Sequence, residues 1–295
     1  ISGTGYSFNA SREIGKQVAS LDLEVVSTAN NHANDRGNQG IDNTLDFLKE
    51  KDILAVGTYY NQDDRDQGKY MTIHGIKFGF VSYTYATNQI VSDENQAKVA
   101  LFNRPSDRKM TQAYKDLLTK EVTQTRENCD VLIAMMHWGN EFTYDISTQQ
   151  EEVSQLLSDL GVDIIIGNHS HCSQPMEWIN NNRTLCMYSL GNFVSADPIV
   201  DRTHQEFKNA YNVSMMVSLD IVKENNQISI QNIDYIPVIN YYDEYLQNFK
   251  LIPYDQYTSQ YETTHYHYQN GLTKKWIEET YQKLIPEKLS NHQLQ

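Results

Sequence analysis

Histidines at the ends of predicted strands are the residues of this sequence best suited to chemistry. Each of four histidines comes shortly after a run of apolar residues that predicts a strand, as His137 follows the run 131–136. In open α/β sheets, ligands bind beyond the carboxyl ends of the strands. Imidazole nitrogens and Asn or Asp oxygens gathered there are typical ligands of a hydrolytic centre with two metal ions. The four histidines are His32, His137, His169 and His171.

Each of these residues also has a purely structural interpretation. A single histidine at a strand end, such as His137, is more often hydrogen-bonded at the rim of the core than bound to a metal. The pair Asn30-Asn31 suits a tight turn, because Asn tolerates left-handed backbone. These interpretations lose force together, since all three segments place polar groups at one sheet edge. The other histidines are expected on the surface or in loops, although His265 and His267 together offer a weak local metal contact.

The elements that position these residues alternate between strand and helix over the first half of the chain. Apolar residues at helical spacing, such as Ile41, Leu45 and Leu48, lie between short apolar runs, an order typical of βαβ units. A first helix is predicted to begin after Asn9 or Ser11. The pattern further predicts strands at 24–27, 53–57, 131–136 and 162–166, a hairpin of 70–73 with 77–83, and helices at 106–127 and 150–160.

The pattern changes after about residue 175. Apolar runs then follow one another with turn-rich segments between them, which predicts an antiparallel sheet. The end of the chain is rich in Tyr and Gln and predicts one helix, at 272–284. The predicted strands are 176–179, 185–189, 213–222 and 228–237.

Composition and charge exclude several classes of protein. The chain has 24 Lys and Arg against 38 Asp and Glu, which gives a formal net charge of −14. Nucleic-acid binding needs a basic face, so nucleic acid is not an expected partner. The longest apolar runs fall far short of the ~20 residues that a membrane-spanning helix needs. Three cysteines are too few, and odd in number, for a disulfide framework.

Several motifs occur in the order in which one known family has them. They are the segments 6–9, 29–37, 82–88, 137–141, 167–171, 174–175 and 189–193, together with Gln150. In this order they resemble the bacterial capsule-synthesis CapA family, which is associated with poly-γ-glutamate and is similar in fold to the calcineurin-like metallophosphoesterases. The resemblance covers roughly residues 5–240, and the order of the motifs makes it far more specific than any one of them.

The resemblance implies an α/β fold of the metallophosphoesterase type, an α/β/β/α sandwich that here lacks its first βα unit. In the family, a Gly-Asp strand precedes the Asn-His loop, and carboxylates from this early region complete and bridge the metal ions. Without them, metal binding by residues 1–295 is expected to be weakened or lost. We expect residues 1–240 to form this incomplete domain and the Tyr-rich extension 241–295 to pack on it.

The resemblance also implies a role for each candidate residue. His32 would be the catalytic residue, which protonates the leaving group or stabilises the transition state. Asp35 and Glu141 would orient histidines or fix the loop, and Asn192 would either line the substrate cleft or serve as a turn residue. The metal ligands would be Asn31, His137, His169 and His171.

The function implied by the resemblance is capsule biosynthesis by a metal-dependent hydrolase that uses up to two divalent ions (Mn, Fe or Zn). Its substrate would be an anionic polymer such as poly-γ-glutamate, and cations would have to offset the repulsion between this polymer and an acidic protein. Two alternatives stay open: a non-catalytic extracellular scaffold or export subunit of a capsule assembly, and a generic metal-dependent phosphodiesterase. The resemblance further implies capsule-synthesis membrane subunits as partners and an extracellular location, with a membrane anchor upstream of residue 1.

Overall fold

The computed structural model describes residues 7–103, 109–195, 207–225, 227–285 and 289–294. The chain divides into two compact units. The first unit consists of Ile1–His137 and Asp159–Ile164, and the second of Trp138–Ser158 and Ile165–Gln295. In the described part of the chain, no helix is both long and apolar enough to cross a membrane.

The first unit is built from βαβ connections and a hairpin. Its elements are α1 (Arg12–Ala19), β1 (Val25–Ser27), α2 (Gly37–Glu50), β2 (Leu54–Val56), α3 (Gln62–Asp66), β3 (Lys69–Ile73), β4 (Ile76–Thr84), α4 (Gln112–Arg126) and β5 (Val131–His137). Strands β1 and β2 pair in parallel on either side of α2 in the chain, as the alternating pattern predicts. The predicted hairpin is confirmed as β3 and β4, and β4 pairs in parallel with β5.

Apolar spacing explains both α2 and β5. In α2, Ile41 and Leu45 pack in a buried cluster with Val99, because residues four apart share one helix face. Every residue of β5 from Val131 to Met136 is apolar, and both Leu132 and Met136 are buried. The helix predicted at 106–127 is α4, which begins later than expected, at Gln112. Residues 106–108 of the prediction lie outside the described residues.

Asp163 explains why the strand predicted at 162–166 begins two residues later. The Asp163 carboxylate accepts hydrogen bonds from Arg126 Nη1 at 2.6 Å and from the backbone N–H of Leu132 at 2.8 Å. Arg126 also donates to the carbonyls of Cys129 and Asp130. The side chain of Asp163 therefore fastens the start of β5, and the sixth strand, β6, spans Ile164–Asn168.

The second unit is mainly antiparallel. Its elements are α5 (Thr148–Asp159), β6, β7 (Met176–Ile179), β8 (Thr184–Met187), α6 (Lys208–Tyr211), β9 (Val213–Glu224), β10 (Gln227–Tyr241), β11 (Lys250–Pro253), α7 (Ser259–Thr264), α8 (Lys274–Leu284) and β12 (His292–Gln293). Strand β8 lies between β6 and β7, and β9, β11 and β12 all pair with β10. The antiparallel pairing of β7 with β8 and of β9 with β10 confirms the prediction for this half of the chain.

The Tyr-rich end of the chain belongs to the second unit. Residue 240 lies inside β10, which pairs with β11 and with β12, so strands on both sides of this position share one sheet. The predicted helix at 272–284 is confirmed as α8, and Tyr281 on it hydrogen-bonds to Ser173 at 2.8 Å. The α/β class is thus confirmed, whereas the domain boundary at residue 240 stays a prediction.

Candidate functional site

In the first unit, the loop after β1 reaches the end of β5. His137 is the last residue of β5, and its Nε2 lies 3.0 Å from Oδ1 of Asn31. The loop is held in place by its own hydrogen bonds: Asn30 Oδ1 accepts from the N–H of His32 at 2.9 Å, and the Asn31 carbonyl accepts from Asn88 at 2.7 Å. The side chains of Asn31 and His137, 106 residues apart in the chain, therefore meet as expected.

His32 is held by a carboxylate in the same loop. Its Nδ1 lies 2.8 Å from Oδ2 of Asp35, whose side chain is only 3% exposed. The same oxygen of Asp35 accepts from the N–H of Phe8 at 2.7 Å, and the ring of Phe8 meets His32 edge-on at 4.5 Å. Because Nδ1 faces the Asp35 carboxylate, Nε2 is the nitrogen of this partly exposed ring that is turned away from it.

In the second unit, the loop after β6 has an unusual backbone. His169 has φ 106° and His171 has φ 58°. Residues other than glycine rarely adopt such positive φ angles. Just before them, a Cβ on Gly167 would lie 2.0 Å from the carbonyl oxygen of Tyr188, so only glycine fits there. That carbonyl accepts the Nε1 hydrogen of Trp138 at 2.9 Å. The loop is thus forced into its path by close packing at the end of β6.

His171 has partners on both ring nitrogens. Its Nδ1 donates to Oδ1 of Asn192 at 2.9 Å, and Asn192 returns a hydrogen bond to the His171 carbonyl at 3.2 Å. Its Nε2 lies 3.7 Å from Oε1 of Glu141. Burial opposes the charged ring, but the nearby Glu141 carboxylate and the hydrogen bond to Asn192 outweigh it and raise the pKa of His171. Asn192, predicted to line a cleft or form a turn, here orients the imidazole.

Two aromatic rings enclose His171 and were not among the predicted site residues. Phe142 stacks on it with centroids 5.5 Å apart, and Tyr211 lies 5.4 Å away. Phe142 also has a left-handed backbone, with φ 56°. Its place beside Glu141 in the segment 137–141 was a usable signal, whereas nothing near Tyr211 in the sequence pointed to it. Together these rings limit the motion of the His171 side chain.

The predicted site residues therefore assemble within each unit. In the second unit His169, His171, Glu141 and Asn192 lie together, with 6.3 Å between the two imidazole centroids. In the first unit the pairs are Asn31 with His137 and His32 with Asp35. Among the residues that the structure describes, no group of three or more His, Cys, Asp or Glu side chains is arranged to hold a metal ion. The functional role of each of these eight residues stays a prediction.

The atoms that these residues present are of the types that bind divalent metal ions. Asn31 Oδ1 and His137 Nε2 lie 3.0 Å apart, the distance of the hydrogen bond between them. For His171, the Nδ1 hydrogen bond to Asn192 leaves Nε2, which lies 3.7 Å from Glu141 Oε1, as the nitrogen that would face a metal ion. Imidazoles with amide or carboxylate oxygens suit Mn, Fe and Zn.

Two of the remaining histidines, expected on the surface or in loops, lie in the connection between α7 and α8 but are buried there. His265 is 3% exposed and His267 is fully buried. Nε2 of His265 donates to the Asn240 carbonyl at 3.1 Å, and its Nδ1 accepts from the N–H of His267 at 2.9 Å. Both ring nitrogens of His265 are thus engaged with the backbone, which leaves this ring no nitrogen for a metal. His74 is exposed in a hairpin turn as expected, and His204 lies outside the described residues.

The fold and these clusters define a class of protein. It is an α/β protein whose His and Asn side chains lie together beyond the ends of its strands. The family model for the "Bacterial capsule synthesis protein PGA_cap" matches residues 1–197, and the chain belongs to this family.

Relatives in the family come from several bacteria. The chain is 28% identical over 184 residues to the PGA biosynthesis protein CapA of Bacillus subtilis (strain 168), covering 62% of this chain and 45% of the relative. It is 30% identical over 192 residues to the capsule biosynthesis protein CapA of Bacillus anthracis, covering 63% of this chain and 43% of the relative. The chain thus spans less than half the length of these curated relatives.

Solved structures with a similar arrangement are more distant. A hypothetical protein from Thermus thermophilus has a TM-score of 0.43 at 13% identity, over 77% of this chain and 81% of that chain. A phosphatase from Mycoplasma pneumoniae has a TM-score of 0.46 at 12% identity, over 78% of this chain and 76% of that chain.

Proposed function

We propose that this protein takes part in the biosynthesis of a poly-γ-glutamate capsule and acts there as a metal-dependent hydrolase on the anionic polymer. The observation that carries the proposal is the family match over residues 1–197, together with curated relatives named for capsule and PGA biosynthesis. The clusters of His and Asn side chains at the strand ends support the hydrolytic part of the proposal.

In the first unit the proposed metal ligands are Asn31 and His137, and in the second unit they are His169 and His171. When bound, a divalent ion polarises the scissile group and lowers the pKa of a coordinated water. Asn192 and the ring of Phe142 keep the imidazole of His171 in one orientation, so that little conformational freedom is lost on ligation. Mn, Fe and Zn are the proposed metals.

His32 is the proposed general acid. The Asp35 carboxylate holds Nδ1 of His32 and fixes the orientation of the ring, so that Nε2 is the nitrogen that would deliver a proton to the leaving group. The His32 side chain is 30% exposed, so part of it is open to solvent.

The substrate, partners and location are part of the same proposal. The net charge of −14 repels a polyanion, so metal cations have to screen the approach of the polymer. We further propose an extracellular, membrane-anchored site of action beside other capsule-synthesis subunits.

Metal loading tests the hydrolase proposal. The chain is stripped with a chelator and reloaded separately with Mn, Fe and Zn, and bound metal is measured by mass spectrometry. We expect His171→Ala to weaken metal binding by more than about tenfold, and Asn192→Ala by about tenfold to a hundredfold, since the latter removes only the orienting group. The matched control is His74→Asn, which changes an exposed histidine in a turn that Asn tolerates, and it should bind metal as the parent does.

Turnover separates the three candidate functions. Shortening of poly-γ-glutamate by the loaded protein, lowered about 10²–10⁴-fold in His32→Ala with metal content unchanged, is the expected result. Cleavage of a chromogenic phosphodiester alone would replace the proposal with a generic phosphodiesterase. If neither substrate is cleaved and no metal binds above the level of His171→Ala, the hydrolase proposal fails and the non-catalytic scaffold is favoured.

A further inference from the structure

The second unit contains an open cleft that none of the predicted site residues lines. Its volume is about 400 Å³, within the range of small-molecule sites in proteins. It is lined by residues of strand β10 and helix α8, together with Tyr254. The lining residues are Asp234, Tyr235, Pro237, Tyr254, Ile277, Glu278, Tyr281, Gln282 and Ile285.

The floor of this cleft is aromatic and rigid. The ring of Tyr235 stacks on the ring of Tyr281 at 6.0 Å with 15° between their planes. Tyr281 is 3% exposed, and its hydroxyl is fixed by the hydrogen bond to Ser173. Ile277 and Ile285 are buried beside it. Tyr235, which is partly exposed and lines the cleft, is therefore an aromatic ring supported by a buried one.

The rim of the cleft is polar and acidic. Asp234, Glu278 and Gln282 are exposed, and Glu278 accepts a hydrogen bond from the Tyr254 hydroxyl. No Lys, Arg or His occurs among the described residues that line the cleft. Beside the cleft, the ammonium of Lys274 lies 4.8 Å from the ring centre of Tyr254. A polyanion such as poly-γ-glutamate would meet two carboxylates here, so the charge of the rim disfavours it.

We infer that this cleft binds a neutral oligosaccharide. The C–H face of a sugar ring matches a flat Tyr surface, and carboxylate and amide oxygens accept hydrogen bonds from sugar hydroxyls. The acidic rim disfavours anionic ligands, and the open shape lacks the closed ring of aromatic side chains that selects quaternary ammonium groups. The inference is independent of the proposed hydrolase function, because it uses none of the His and Asn residues assigned to it.

Calorimetric titration of the whole chain with cellotetraose and with tetra-N-acetylchitotetraose tests the inference. We expect at least one of them to bind at millimolar concentration or below, and Tyr235→Ala to weaken binding about tenfold, equivalent to about 1.4 kcal/mol. Gln282→Ala, on the exposed rim, should weaken binding without affecting the fold. The matched control is Tyr245→Ala, which removes a Tyr that is 74% exposed in the same unit and lies outside the cleft.

Further probes make the result decisive. Circular dichroism checks that each variant is folded, and Gln282→Ala carries the test if Tyr235→Ala is not. Glu278→Gln, which keeps the shape and removes the charge, should leave sugar binding within a few-fold. The inference is overturned if neither tetrasaccharide binds, if Tyr245→Ala weakens binding as much as Tyr235→Ala, or if tetramethylammonium or a γ-glutamate oligomer binds in the cleft more tightly than the sugars.

Discussion

At the scale of single residues, the most informative feature is the backbone of the loop after β6. A non-glycine residue with a clearly positive φ costs free energy, and such residues cluster at functional sites. His169, at φ 106°, and His171, at φ 58°, both carry this cost within three residues of chain. Glycine would adopt these angles more easily, so the presence of histidine there is consistent with a requirement for the imidazoles.

Substitution at His169 measures this cost. Both His169→Gly and His169→Ala remove the ring, but only glycine accepts φ 106° without strain. We expect the glycine variant to be more stable than the alanine variant, with a free energy of unfolding about 1–2 kcal/mol higher. Urea denaturation of both variants measures this difference. At His292, in strand β12, the order should be reversed, because glycine weakens an ordinary strand by about 0.5–1 kcal/mol relative to alanine. The same order at both positions would contradict the interpretation.

The sequence was sufficient to predict where candidate site residues lie along the chain, but not which side chains they contact. The run of apolar residues before His137 was enough to place this histidine at a strand end. The contact between His171 and Asn192 spans 21 residues and depends on how two loops pack, which no local pattern encodes. The left-handed angle of His169 is likewise set by the close packing around Gly167.

At the scale of elements, helices α3 and α4 are joined by a buried ion pair in the first unit. Arg65 Nε donates to Glu121 at 2.6 Å, and Arg65 Nη1 donates to the Gln96 carbonyl at 3.2 Å. The hydroxyl of Tyr83 donates to Glu121 at 2.8 Å. Burial and the neighbouring Glu121 charge raise the pKa of Tyr83, which keeps this donor protonated. The carboxylate thus serves two buried donors at once.

Removal of this carboxylate should be costly. In Glu121→Ala the guanidinium of Arg65, 3% exposed, keeps its charge without its counter-ion, and we expect a loss of about 3–5 kcal/mol in the free energy of unfolding. The comparison is Glu279→Ala, which breaks the exposed pair of Lys275 with Glu279 and should cost less than about 1 kcal/mol. Guanidinium denaturation of both variants measures the difference, and equal losses would show that the buried pair has no special weight.

Element boundaries show which patterns the sequence encodes locally. Strand β5 was predicted at 131–136 and spans Val131–His137, since a run of apolar residues marks a strand buried on both faces. Strand β6 begins two residues late because Asp163 is held by Arg126, a contact across 37 residues. The burial of His265 was missed for a similar reason: in a Tyr-rich segment without apolar periodicity, nothing distinguishes a buried polar ring from an exposed one.

At the scale of the whole molecule, the buried His265 makes stability depend on pH. Burial lowers the pKa of His265 from its ordinary 6.5 to about 4, and the charge of the neighbouring His267 acts in the same direction, although the hydrogen bond to the Asn240 carbonyl opposes it. The unfolded chain therefore takes up a proton at this residue below about pH 6.5, whereas the folded chain does so only near pH 4. Stability from this residue is present above pH 6.5 and is lost as the pH falls towards 4.

Urea denaturation at two pH values tests this dependence. Between about pH 7 and about pH 5 we expect His265 to contribute a loss of about 2 kcal/mol in the free energy of unfolding. His265→Gln keeps a donor and an acceptor but does not titrate. Over the same pH interval, its free energy of unfolding should therefore fall by about 2 kcal/mol less than that of the parent. If the parent and His265→Gln lose the same amount, proton uptake at His265 is not the cause.

The contact of Asp163 with Arg126 and Leu132 also bears on how the protein is made. Synthesis delivers β5 first, then residues 138–158, which belong to the second unit, and only afterwards the carboxylate that fastens β5 in the first. On the ribosome, the first unit therefore cannot reach its final set of hydrogen bonds until part of the second has also emerged. The two units are interleaved in time as well as in sequence, so neither can be completed as an independent early folding step.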